Sequence, residues 1–293
     1  MPSSSDAVAR PALAWSVRGK RIPLGRRTLV MGIVNVTPDS FSDGGRYFDA
    51  STAIAHARVL AQEGADLLDV GGESTRPGSD AVPASEEIRR VVPVIRAVAG
   101  AVALPLSVDT RKADVAKAAL DAGAHIVNDV AALRDPHMAK VVADANAGLV
   151  LMHMQGEPKS MQVAPAYKDV VADVVAFLEE RASTALRAGV ARDAIMLDPG
   201  IGFGKRTGTG VEDNASLLKH LAALRRPGYP VLIGASRKSF IGNVLNVPLG
   251  ERLEGSLAAA AIAAWNGADV VRVHDVRATR RVVDLVDAIR AAP

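Results

Sequence analysis

Asp109, Asn128, Asp198 and Lys238 stand at or just beyond the ends of short aliphatic runs, and together they could hold a flat, nitrogen-rich ring. A carboxylate offers two acceptors side by side, matching the adjacent N–H donors of an amidine-like ring edge, while Asn and Lys can supply donors to ring N and O atoms. That chemistry suits a heterocycle such as a pterin. The competing reading is a buried Asp198–Lys238 ion pair that merely satisfies itself. Arg272 and His274 lie two apart on one run and so share a face, beside the place where Asn35 leaves the first run. Two donors and an amide oxygen able to bind a hard cation suggest a pyrophosphate carried with magnesium. Taken alone, His274 could equally be a satisfied core histidine.

Eight aliphatic runs position these residues: 29–34, 67–70, 104–108, 126–128, 149–152, 195–197, 231–233 and 270–273. They alternate with helix-length amphipathic segments, the pattern of strands buried on both faces of a parallel sheet. Eight strand and helix pairs predict a (β/α)8 TIM barrel, whose chemistry gathers where the C-terminal strand ends converge. The loops after the first two runs, Asn35 to Gly45 and Gly71 to Gly78, are rich in Gly, Ser, Asp and Thr and read as mobile lids. Upstream, Arg18-Gly19-Lys20-Arg21 reads as the turn of a short β-hairpin between Trp15-Ser16-Val17 and Ile22-Pro23-Leu24. Residues 1–14 read as a disordered tail, and 15–293 as one barrel domain. Among the helices, Ala53, Ile54, Ala57, Leu60 and Ala61 form one apolar stripe that Gly64 stops. Ser85, ahead of Glu86 and Glu87, reads as an N-cap, with Pro93 kinking the helix that follows. The longest helical stretch runs from Tyr167 to Ala188.

Composition excludes several classes. The 293 residues contain no cysteine, which removes disulfides, thiolate metal sites and cysteine nucleophiles and suits a reducing cytoplasm. No segment has the apolar length of a signal peptide core or a membrane span. A net charge of +3 is small, and the basic cluster Arg18 to Arg27 lacks interleaved aromatics, so nucleic acid is not the expected partner. The glycine-rich run Asp198 to Lys205 is not a P-loop, because Pro199 stands where glycine is needed and Arg206 where Ser or Thr is needed. Nor does it fit the dinucleotide pattern, since Lys205 takes the third glycine position. Metalloprotease histidine spacing and the GxSxG elbow are both missing from the sequence.

The ordered motifs MGIVNVTPDSFSDGG, GGESTRPG, SVDT, IVND, LDPGIGFGK, GASRKSF and RVHD closely resemble the dihydropteroate synthase family over Leu29 to Val276. That resemblance implies a transferase joining a pterin methyl pyrophosphate to 4-aminobenzoate, with Asp109, Asn128, Asp198 and Lys238 holding the pterin. It implies that Asn35 binds Mg2+ with the pyrophosphate, that Arg272 and His274 lie against that anion, and that Thr75 sits nearby. Arg76, Pro77, Phe203, Lys205 and Ser236 would surround the aminobenzoate, where sulfonamides would compete. Asp39 and Asp43 would stabilise a pterin methyl cation in a dissociative substitution. A homodimer packed through the later helices is also implied. One departure is Lys205 to Asn214, a few residues longer than the family's usual connection. Two rivals stay open: a pterin-binding methyltransferase that serves a corrinoid protein, and a pterin-binding paralogue without turnover. The loops argue against the first, and the presence of Asn35, Asp39, Asp43, Arg76, Arg272 and His274 against the second.

Overall fold

The structure, a computed structural model, describes residues 10–36, 50–74, 79–206 and 212–292. A two-stranded antiparallel hairpin, β1 (Leu13–Val17) and β2 (Lys20–Leu24), comes first. Its turn is tighter than expected: Val17 pairs with Lys20, and only Arg18 and Gly19 turn, both at positive φ. This left-handed pair matches the twist of the flanking strands. The strands of the barrel follow as β3 (Leu29–Asn35), β4 (Leu67–Gly71), β5 (Leu106–Asp109), β6 (Ile126–Asp129), β7 (Gly148–Met152), β8 (Ile195–Asp198), β9 (Leu232–Ile233) and β10 (Val270–Val273). All neighbours are parallel, in the order β8-β7-β6-β5-β4-β3-β10-β9. The barrel is nearly closed by a parallel bridge between Leu197 and Val231, where the Leu197 amide donates to the Pro230 carbonyl at 2.9 Å. The eight expected runs therefore become the eight strands of a (β/α)8 barrel.

Helices α1 (Ala50–Gln62), α2 (Ala84–Ala99), α3 (Ala113–Asp121), α4 (Met138–Asp144), α5 (Val170–Arg187), α6 (Glu212–Lys219), α7 (Ser239–Leu245), α8 (Leu253–Trp265) and α9 (Val276–Arg290) cover the outside. Two helix starts differ from expectation. α2 begins at Ala84 with Pro83 at the cap position and no side-chain cap, so Ser85 lies inside the first turn. Proline presets a φ that suits a helix entrance, and this displaces Ser85 from the role. α5 begins at Val170, not Tyr167, because the Asp169 carboxylate accepts from the Val171 and Ala172 amides. At the other end of the first helix, Gly64 at φ +97° ends α1 as expected.

Strand alternation divides the barrel strands between two cores. Leu68, Val70, Leu106, Val108, Val127, Leu149 and Leu151 face outward into the large cluster shared with the helices. Inward, Leu29, Met31, Leu67, Ile126, Val150, Met196, Leu232 and Val270 form a separate cluster with Trp15, Val17 and Leu24 of the hairpin. The hairpin is thus the plug of the barrel's lower end. Trp15 is fully buried, and its indole N–H donates to the Ala194 carbonyl at 2.8 Å. Just before the hairpin, Arg10 pairs with Asp287 of α9 and Leu13 and Ala14 already belong to β1, so residues 10–14 are part of the packed structure.

Candidate active site

Two positions beyond the lower apolar layer, the same inward faces become polar. Leu67 is followed by Asp69, Ile126 by Asn128, Met196 by Asp198 and Val270 by Arg272. Asp109 reaches the same level from β5, where it is the register partner of Asn128 on β6. Asp69, Asp109, Asn128 and Asp198 are all buried.

Arg272 organises the centre of this layer. Its Nε donates to Asp69 Oδ2 at 2.6 Å and its Nη2 to Asp109 Oδ2 at 2.6 Å. Asp69 Oδ2 also accepts from Asn128 Nδ2 at 3.1 Å. Burial disfavours the guanidinium charge, but Asp69 and Asp109 more than offset it and raise the Arg272 pKa above its ordinary value. Burial pushes Asp109 up to about 7, with Arg272 opposing and Asp69 adding to the rise. Asp198 is pushed up to about 6 by burial, against the Gly200 amide, which donates to its Oδ1 at 2.7 Å, and against Lys238 and Arg272. Both carboxylates thus give up protons near neutrality, as suits groups waiting for a donor-rich ligand.

Around this centre stand the loops after β8, β9 and β10. In Asp198-Pro199-Gly200-Ile201-Gly202-Phe203-Gly204-Lys205, Gly200 has φ +66°, and an added Cβ would lie 1.9 Å from the His153 carbonyl oxygen. At Gly204 the same atom would lie 2.3 Å from the Gln155 carbonyl oxygen. The glycines are there so that this loop can lie against the one after β7. Phe203 faces the site, and Lys238 Nζ sits 3.6 Å above its ring centroid, a cation–π contact. Lys238 therefore lies over Phe203, with its charge felt by Asp198 and Asp109.

Lys205 is turned into the protein and fully buried. Its Nζ donates to the Gly200 carbonyl at 3.0 Å and the Phe203 carbonyl at 2.9 Å, and lies 3.0 Å from His153 Nδ1. Burial brings Lys205 down to about 7, and burial together with Lys205 takes His153 down to about 2. The side chain ties the loop from below. Ser236 Oγ lies 3.1 Å from His274 Nδ1 and accepts from the His274 amide at 3.2 Å. Burial, then Arg272 and Arg237, bring His274 down to about 4, so it is a neutral imidazole at neutral pH. Arg237 between Ser236 and Lys238 has φ +57° and is held by a two-pronged pair with Asp275.

The structure thus brings Asp109, Asn128 and Arg272 into one network, places Asp198, Lys238 and Phe203 beside it, and joins Ser236 to His274. Asn35 closes β3 on the same rim, in register with Gly71. Asp39, Asp43, Thr75, Arg76 and Pro77, residues 37–45 and 75–78 of the two loops read as lids, and residues 207–211 of the lengthened 205–214 connection lie outside the described residues. Sequence reasoning missed Asp69. Its signal was present as a lone acid inside the aliphatic run LLDVG, two places before the strand end.

Residues 31–274 match the family model described as pterin binding enzyme. A dihydropteroate synthase of Escherichia coli K12 is 47% identical over 263 residues, covering 90% of this chain and 92% of that one. The structure of a Xanthomonas albilineans dihydropteroate synthase with 4-aminobenzoic acid superposes with a TM-score of 0.89 at 49% identity, covering 97% of this chain and 100% of that one. A structure of the Xanthomonas albilineans enzyme in complex with 7,8-dihydropteroate gives a TM-score of 0.81 at 48% identity, covering 91% of this chain and 95% of that one.

Proposed function

Because the chain belongs to the pterin-binding enzyme family, and within it to the dihydropteroate synthases, we propose that its barrel mouth joins 6-hydroxymethyl-7,8-dihydropterin pyrophosphate to 4-aminobenzoate. The products are 7,8-dihydropteroate and pyrophosphate, in folate biosynthesis. The observation that supports this most is the buried row of Asp109, Asn128 and Asp198 at one level of the barrel, with Lys238 beside it. Carboxylates there accept from the ring N–H and amino groups of a pterin, and Lys238 donates to its carbonyl side. Thr75 completes that pocket from the second loop.

The substitution is dissociative. The bond between the pterin methylene carbon and the pyrophosphate oxygen breaks first, and its electron pair leaves with the pyrophosphate. The amine lone pair of 4-aminobenzoate then forms the new C–N bond, and the amine proton is released. Arg272 and His274 lie where the departing charge develops, with neutral His274 acting as a hydrogen-bond donor. Asp39 and Asp43 stabilise the positive methylene, and water is kept from it by the loops that carry them. Phe203, Lys205, Ser236, Arg76 and Pro77 frame the aminobenzoate, with Lys205 acting through the Phe203 backbone that it holds. A sulfonamide of the same shape competes for that place.

Mg2+ fits the donors present. No cluster of three or more His, Cys, Asp or Glu able to hold a metal occurs among the described residues, while Asn35 presents an amide oxygen on the rim. Such a set suits a cation that arrives with a pyrophosphate and keeps several waters. When bound, Mg2+ would neutralise leaving-group charge. Two further readings complete the picture. A homodimer is supported by exposed Val244, Leu245, Leu249, Leu253 and Ile262 around α7 and α8. A cytoplasmic setting is supported by the cysteine-free composition, and no helix among the described residues is long and apolar enough to cross a membrane.

The test is pyrophosphate release from the pterin substrate with Mg2+, with and without 4-aminobenzoate, alongside chromatography for 7,8-dihydropteroate. Product that requires both substrates is expected. Pterin binding with no turnover would instead favour the non-catalytic paralogue.

A further inference from the structure

Asp69 is the most deeply placed acid of the site, fully buried below the strand ends. Its Oδ1 is buried with no partner among the described residues, and its Oδ2 is taken up by its neighbours. One of its oxygens, Oδ2, receives both Arg272 Nε at 2.6 Å and Asn128 Nδ2 at 3.1 Å. An oxygen that already accepts from a guanidinium must be an acceptor toward the amide as well. The Asn128 side chain is therefore oriented with its NH2 group toward Asp69 and its Oδ1 away from it. That Oδ1 is buried and has no partner among the described residues, and the same is true of Asp109 Oδ1. Buried acceptors left in this way are costly unless a ligand's donors meet them.

We propose that Asp69 is a positioning residue of the reaction: by holding the Asn128 amide and the Arg272 guanidinium on one oxygen, it makes Asn128 an acceptor toward the pterin and sets the reach of Arg272. The inference rests on the pterin reading above and changes one part of it. Asn128 was expected to supply donors to the ring, but its donor group is held by Asp69, so the pocket offers acceptors from Asn128, Asp109 and Asp198 in succession. That pattern selects a ring edge carrying several N–H groups, as the N8–H, 2-amino and N3–H donors of a 7,8-dihydropterin do. Stability alone gives no reason for the acid, since a buried ion pair is commonly matched or exceeded by apolar residues of similar volume.

Asp69→Asn keeps the shape and removes the fixed polarity, because an amide at 69 can face Asn128 in either sense. Calorimetric binding of 6-hydroxymethyl-7,8-dihydropterin should weaken at least tenfold in D69N, while the KM for 4-aminobenzoate stays within twofold and the melting temperature within a few degrees. The double variant D69N/N128A should lose less pterin affinity than the sum of its parts, as expected if Asp69 acts through Asn128. Binding within twofold of the parent, or equal losses for both substrates, overturns the proposal. If the parent protein itself does not bind the pterin, the functional reading fails instead, so the two failures are distinct. Should D69N not fold, NMR of the parent protein decides. The Asn128 side-chain NH2 protons should be protected from exchange in the free protein and keep their shifts when the pterin is added. Rapid exchange in the free protein, or a shift showing that these protons move to the ligand, overturns it.

Discussion

The two ends of the barrel interior are built on the same inward faces of the same strands, only two residues apart, and they obey opposite rules. At the lower end Leu67, Ile126, Met196 and Val270 pack against Trp15, Val17 and Leu24 of the hairpin, and the plug is apolar. At the upper end Asp69, Asn128, Asp198 and Arg272 take the corresponding places, and burial drives Asp109 and Asp198 toward neutrality. Burying a side chain at the lower end removes apolar surface from water and stabilises the fold. At the upper end burial costs stability, and the gain is a set of polar atoms ready for a ligand. The barrel thus keeps its stability and its chemistry at opposite ends.

Trp15→Ala is the strongest test of that division. Truncating a buried tryptophan costs about 3–5 kcal/mol, and the lost hydrogen bond to Ala194 about 1 kcal/mol more. Thermal melting should fall by about 10 °C or more at about 2–4 °C per kcal/mol, while the KM values of the remaining folded enzyme stay unchanged. A large KM change with little loss of stability would show that the plug is coupled to the site.

Asp198→Asn is the converse. Pterin binding should weaken about a hundredfold, the loss of roughly two charge-assisted hydrogen bonds. Stability should not fall. The folded Asp198 titrates at about 6, above the usual 3.8, so between those values the folded state binds more protons than the unfolded one. The parent protein therefore loses stability as pH rises through that window, and the variant is spared this loss. The melting difference between D198N and the parent should grow from pH 4 to pH 6 and then level off. A variant that melts lower at pH 7 would contradict the account.

Lys205→Met should give the smallest effect and stands between the two ends, because Lys205 is buried yet serves the loop that carries Phe203. The KM for aminobenzoate should rise several-fold with pterin affinity nearly unchanged. Here the sign reverses: Lys205 is held down at about 7 from the usual 10.5, so the unfolded state binds more protons in that window. The parent should therefore gain stability relative to K205M as pH rises from 7 to 10. A flat difference would mean that the lysine is not desolvated in solution.

Much of this was legible in the sequence. The alternation of aliphatic runs with helix-length segments pointed to the barrel, and the polar residues at the ends of those runs pointed to Asp109, Asn128, Asp198 and Arg272. Asp69 escaped, since it sits two residues before the end of an aliphatic run and has no turn chemistry beside it. Lys205 was placed beside the aminobenzoate by the family resemblance, and nothing in the sequence signals that its side chain turns inward. Only the close approach of the Gly200 and Gly204 backbone to the loop after β7 forces it inward. The helix starts at Ala84 and Val170 shifted for local reasons, a proline and an aspartate competing with nearby candidates.

By itself the sequence determined the alternation of strands and helices and which residues arrive at the strand ends, because both follow from local periodicity. The tertiary structure alone decided which of those residues meet. Asp69 lies 203 positions from Arg272 in the chain and 59 from Asn128, and one oxygen holds them both. Such a contact depends on closure of the barrel, through which each inward side chain gains neighbours that no local pattern encodes.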